Sequence, residues 1–122
     1  MGYDFHITRA DHWFGSADQP ITCTEWLALV LSDSELQLDT DNGEHFVDWI
    51  GHPLGGQVGW LDWLGGNIFT KHPDEPTFLK MLHIARLLKA NVQGDEGERY
   101  ASVADYRKSY GRESRSDSLS ND

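Results

Sequence analysis

Between Leu36 and Lys71, several stretches of strand character follow one another with only short connections between them. That crowding limits the possible folds more than any other feature of the chain. Leu36 to Thr40 and His45 to Ile50 flank Asp41-Asn42-Gly43-Glu44, whose Asn-Gly pair supplies the positive backbone dihedrals of a tight hairpin turn. Val58 to Leu64 resumes the pattern after His52-Pro53-Leu54-Gly55-Gly56, and Gly65-Gly66-Asn67 turns into Ile68 to Lys71. Connections this short cannot hold the crossover that parallel neighbours need, so these strands are antiparallel. A further strand opens the chain. In Tyr3 to Ala10 the residues Tyr3, Phe5 and Ile7 alternate strictly with Asp4, His6 and Thr8, the pattern of a half-buried strand.

Two helices carry their own start signals. Thr22-Cys23-Thr24-Glu25 fits a capping box, Ile21 and Trp26 fit the hydrophobic staple, and Trp26, Leu27, Val30 and Leu31 recur at the spacing of one buried face before Ser32-Asp33-Ser34 ends the run. Asp74 caps a second helix with Pro76 in its first turn. On this helix Phe78, Met81, Leu82, Ala85 and Leu88 form an apolar stripe that Leu79, Ile84 and Leu87 widen. Lys80, Arg86 and Lys89 turn to solvent, and Asn91 is the expected left-handed stop. The expected fold is therefore α+β, a single antiparallel sheet of four to five strands with the Thr22 and Asp74 helices packed on one face. Positions 11 to 20 are expected to form a loop whose Trp13 and Phe14 tuck against the core. Val92 and Gln93 are expected to form at most a short edge strand.

The expected boundaries are one globular domain over 1–100 and a disordered polar tail over 101–122, because that last stretch holds six serines and few large apolar groups. On that reading, deletion from Ser102 onward leaves stability nearly unchanged. No apolar run reaches the roughly 20 residues of a membrane span, and Met1 to Ala10 has neither the basic start nor the apolar core of a signal peptide. One cysteine, Cys23, cannot form an internal disulfide. The expected location is the cytoplasm.

Charge is distributed unevenly. The stretch from Met1 to Thr70 holds eleven acids against one base, Arg9, whereas Lys71 to Asp122 holds nine of each, so the whole net charge of −10 lies before Lys71. Such a surface repels nucleic acid and anionic lipid and speeds encounter with a basic partner. Chemistry is harder to find. Asp39-Thr40-Asp41-Asn42-Gly43-Glu44 departs from the calcium-loop pattern at Gly43, and no histidine pair has zinc-ligand spacing. Gly55-Gly56 and Gly65-Gly66 open no phosphate-binding helix, and Cys23 has no local partner base. Gly94-Asp95-Glu96-Gly97-Glu98 reads equally as a carboxylate cluster or a solvated turn. No catalytic residue, cofactor or metal site is assigned from the sequence, and an enzyme is not expected.

The segments Tyr3-Asp4-Phe5-His6-Ile7-Thr8-Arg9-Ala10, Asn67-Ile68 with Lys71-His72-Pro73-Asp74-Glu75, Lys80-Met81, Ile84-Ala85 and Val92 to Tyr100, together with the Trp26 helix, resemble a group of small, largely uncharacterised bacterial proteins. Some of that group resemble immunity proteins to secreted toxins. The resemblance covers Tyr3 to Tyr100 and implies a shared fold, with no catalytic residue attached to it.

Strand alternation places Trp60, Asp62 and Leu64 on one face and Leu61 and Trp63 on the other, so both tryptophans cannot lie under the same helices. A tryptophan rimmed by acids is the kind of anchor protein interfaces use. The expected function is non-catalytic binding of a basic protein, as an immunity or antitoxin-like inhibitor, through Asp39, Asp41, Glu44, Asp48, Trp60 and Asp62. The alternative is a small metal- or ligand-binding domain whose His and Asp/Glu side chains are distant in sequence and converge in space.

Overall fold

The structure, a computed structural model, describes residues 3–56 and 58–108. It is α+β, with a single antiparallel sheet. In chain order the elements are β1 (Asp4–Thr8), a 3₁₀ turn (Trp13–Gly15), α1 (Cys23–Ser32), β2 (Leu36–Leu38), β3 (Val47–Trp49), β4 (Gly59–Leu64), β5 (Asn67–Lys71), α2 (Glu75–Leu87), β6 (Asn91–Gly94), β7 (Arg99–Tyr100) and α3 (Val103–Tyr106). The sheet has seven strands in the order β2-β3-β4-β5-β1-β6-β7, rather than four to five. The extra strands come from the far end of the sequence. Val92 and Gln93 lie in β6, which is not an edge strand because it pairs with both β1 and β7.

Alternation along each strand sorts the side chains into two layers. Phe5, Ile7, Val47, Leu61, Ile68, Val92 and Tyr100 share one face and enter a single core with Trp26, Leu29 and Val30 of α1 and Phe78, Met81, Leu82, Ile84 and Ala85 of α2. The Thr22 capping box is formed: its hydroxyl accepts from the Glu25 amide, and the Glu25 carboxylate accepts from the Thr22 amide. Arg9 adds a bidentate pair to Glu25 and donates to the Leu88 carbonyl, tying the end of β1 to the start of α1 and the end of α2. The guanidinium is the main reason that the Glu25 carboxyl is lowered from 4.5 to about 2.

Several local expectations need correction. Leu31 is 84% exposed and Leu29 takes its place in the core; Leu79 and Leu87 are exposed as well. Lys80 does not extend into solvent, because its ammonium is held by Asp33 at 2.7 Å and Glu35 at 3.2 Å, between α1 and β2. Neither Asn42 nor Gly43 has a positive φ. The β2–β3 connection is a wider loop, closed by the Asp39 amide on the Phe46 carbonyl and pinned by the Asn42 side chain on the Asp39 carboxylate. The left-handed residue after α2 is Lys89, at φ 55°, and not Asn91, which already belongs to β6. Lys89 donates to the Arg86 carbonyl and Ala90 to the Ala85 carbonyl, the two bonds of a Schellman cap. A side chain at that φ is strained, so Lys89→Gly is expected to raise stability by about 1 kcal/mol in urea unfolding.

The packed chain continues beyond Tyr100. Ser102 caps α3, and Tyr106 at its end is 7% exposed, stacked on Phe78 with ring centres 4.8 Å apart and donating to the Pro73 carbonyl at 2.8 Å. Arg107 pairs with Glu75 at 2.7 Å. One aromatic ring in a polar segment is enough to dock it, because the start of α2 offers the Phe78 ring and the Pro73 carbonyl side by side. The rest of the expected tail, including Tyr110, lies outside the described residues. Tyr106→Ala is expected to cost about 3 kcal/mol in urea unfolding, as is typical for a buried aromatic. Truncation before Ser102 is expected to cost at least as much, whereas a freely disordered segment would change nothing.

Candidate functional site: the helix-free face of the sheet

Both large helices pack on the Phe5 and Ile7 side, which leaves the opposite side of the sheet to be covered by something else. On that side β1 presents His6 and Thr8, β6 presents Asn91 and Gln93, β5 presents Asn67 and Phe69, β4 presents Trp60, Asp62 and Leu64, and β3 presents Asp48. The β1–β6 half is roofed by the segment 10–20. Its buried polar groups explain why: Gln93 accepts from the Trp13 amide and donates to the Ala10 and Asp11 carbonyls, and Thr8 bonds Ser16 at 2.7 Å. Buried polar atoms must be hydrogen-bonded, and the loop backbone supplies the partners. Trp13 thus lies on the second face of the sheet rather than in the helix-covered core, with its ring parallel to His6 at 3.9 Å. Phe14 is 73% exposed.

Among the described residues, no such roof covers the β3–β4–β5 half. Here Phe46 stacks on Trp60 at 5.0 Å, and Trp60 meets Phe69 edge-on at 6.0 Å. All three rings are half-buried, and Leu64 on the same face is 67% exposed. Asp48 lies directly opposite Trp60 across the β3–β4 ladder, and Asp62 lies opposite Phe69 across β4–β5. Trp63 points the other way and donates its ring N–H to the Ile21 carbonyl at 2.8 Å.

The expected binding residues fall into two groups. Asp48, Trp60 and Asp62 share this face, and Asp39, just after β2, is an electrostatic neighbour of Asp48. Asp41 and Glu44 are on the β2–β3 loop, away from the ladder. Sequence reasoning missed Phe46 and Phe69, although alternation with Ile68 already assigns Phe69 to this face. Among the described residues, none of Asp39, Asp41, Glu44, Asp48 or Asp62 forms an ion pair. By contrast, Asp11, Glu25, Asp33, Glu35 and Glu75 each hold an arginine or lysine. The negative charge is therefore left unneutralised around the aromatic rings.

Asp39 and Asp48 titrate as a pair. Burial against the sheet raises the Asp48 carboxyl, and Asp39 beside it pushes in the same direction, whereas the Asn42 amide holds Asp39 below its usual range. A carboxyl raised on folding loses stability as pH rises through its folded value, because the folded state then gives up a proton it held more tightly than the unfolded chain. Asp48→Asn is therefore expected to raise the melting temperature at pH 7 and to leave it unchanged well below the ordinary aspartate value of 3.8.

A concavity of about 450 Å³ lies elsewhere, between Glu35, Trp49, Pro53, Leu79, Lys80 and His83. Its ammonium group is already held by Asp33 and Glu35. Among the described residues, no helix is long and apolar enough to cross a membrane. The sequence matches no family model and no curated protein, and the fold matches no solved structure.

Proposed function

We propose that this chain is a non-catalytic binding protein, an immunity or antitoxin-like inhibitor, whose helix-free sheet face receives a basic protein. The observation that carries the reading is the half-exposed Phe46–Trp60–Phe69 stack, bordered by Asp48 and Asp62, neither of which has an ion-pair partner among the described residues. Aromatic rings of this kind supply the desolvated centre of an interface, and unpaired acids at the rim set the approach and the register of a cationic partner. A lysine or arginine placed between Asp39 and Asp48 would also relieve the repulsion between those carboxylates. The concentration of the −10 charge in the sequence before Lys71 agrees with a basic active-site cleft as the target. The resemblance to immunity-like bacterial proteins points to a toxin as the partner.

The test is binding kinetics against the product of the neighbouring gene, prepared as a basic, inactivated protein, at low and high salt. Asp48→Lys and Asp62→Lys are expected to slow association, and so is added salt, since charges are screened over about 8 Å at physiological ionic strength. Trp60→Ala is expected to weaken binding about 30-fold, mainly through faster dissociation. Binding that ignores all three substitutions and the salt would remove this face as the interface.

A further inference from the structure

On the same face of the sheet, at β1 and just beyond β6, three side chains from distant parts of the chain converge. Asp4 and His6 both belong to β1, and Asp95 follows β6, whose Gly94 is opposite Phe5. One ligand atom from each of Asp4, His6 and Asp95 lies within 4.8 Å of the other two.

His6 is 4% exposed and fixed from three directions. Its ring lies parallel to Trp13, and Trp13 is itself anchored by its ring N–H on the Asp95 carbonyl at 2.8 Å. Nδ1 of His6 is 3.0 Å from Asn67 Oδ1, and Nε2 is 2.9 Å from Asp95 Oδ1. The Asn67 amide cannot be turned over without loss, because its Nδ2 donates to the Leu64 carbonyl. Both ring nitrogens therefore face oxygen acceptors, yet a neutral imidazole carries a single N–H. If Nδ1–H donates to Asn67, the Nε2 lone pair meets a carboxylate lone pair inside the fold, a contact that requires a positive charge to cancel it.

We propose that Asp4, His6 and Asp95 bind a divalent transition-metal ion, with His6 Nε2 and one carboxylate oxygen from each aspartate as ligands. The Nδ1–H to Asn67 contact is the outer hydrogen bond that orients a metal-binding histidine and selects its tautomer. One imidazole and two carboxylates suit zinc or manganese, and the partial exposure of both aspartates leaves coordination positions for water. Asp95 Oδ2 keeps its bond from the Asp4 amide at 2.9 Å, which holds the carboxylate in place independently of the ion. The site adjoins the Trp60 surface, since His6 is opposite Phe69 across β1–β5 with ring centres 6.5 Å apart, but it shares no ligand with that surface and does not depend on the binding reading.

The experiment titrates Zn²⁺ into the full chain by calorimetry, with Co²⁺ as a second probe whose absorption reports coordination and which quenches nearby tryptophan. One equivalent of Zn²⁺ is expected to bind. Asp4→Asn and Asp95→Asn are each expected to weaken binding at least tenfold while circular dichroism stays native. Asn67→Ala, which removes no ligand, is expected to weaken it about tenfold without changing the stoichiometry. Co²⁺ quenching is expected in the wild type and should be largely lost in Trp13→Phe. The proposal is overturned if one equivalent does not bind, if binding survives both aspartate substitutions unchanged, or if imidazole nitrogen NMR shows His6 Nε2 still carrying a proton at saturating Zn²⁺. The last result would identify a second proton, rather than a metal, as the charge between His6 and Asp95.

Discussion

The strand β1 is hydrogen-bonded on both sides, by β5 and β6, and so has no solvent edge. Its two faces are chemically different, and both are buried over most of its length. Phe5 and Ile7 supply the floor of the helix-covered core, a purely apolar requirement that α2 and Tyr100 meet. His6 and Thr8 on the other face need polar partners instead, and a second helix layer of apolar side chains could not provide them. A loop rich in backbone donors and acceptors can, and the segment 10–20 fills that role. The loop reaches only as far as the polar groups extend. Over β3, β4 and β5 the second face is aromatic and acidic, with no fully buried polar side chain demanding a roof, and none of the described residues roofs that half.

Legibility in the sequence followed the range of the physics. Thr22 with Glu25, and Asp74 with Thr77, are contacts within one helical turn, so their residue types announce them before any tertiary structure exists. The faces of β1 and β4 follow from alternation for the same reason. What could not be read locally was the pairing of β1 with β6, the convergence of His6 and Asp95 from 89 positions apart, and the docking of Tyr106 on the Pro73 carbonyl, 33 positions earlier. Asn42-Gly43 shows the converse. Its preference for a tight turn is real, but the Asp39 amide and carboxylate offer the loop other bonds, and the tight turn is not formed. Phe69 was within reach, since it follows Ile68 directly in a strand.

The electrostatics of the molecule divide along similar lines. Arg9, the single base before Lys71, is consumed by Glu25 and two carbonyls. Lysine and arginine from the second half neutralise acids near the helices, at Asp33, Glu35 and Glu75. Among the described residues, nothing of that kind reaches Asp48 or Asp62. The fold thus places its cations where they connect elements and, among the described residues, leaves the acids of the open sheet face without an ion-pair partner.

The central place of β1 also governs when the chain can fold. The first strand to be synthesised pairs with one neighbour that ends at Lys71 and another that ends at Gly94, so it must wait until nearly the whole sheet has been made. At ordinary rates of translation that is on the order of 5 to 20 seconds. Both edges of β1 lack partners until Lys71 is made, and one still does until Gly94, the situation in which nascent chains stick to one another. The acids that crowd the sequence between Asp4 and Asp62 are present throughout the wait. Like charge on unfinished copies opposes their association while β1 lacks its partners.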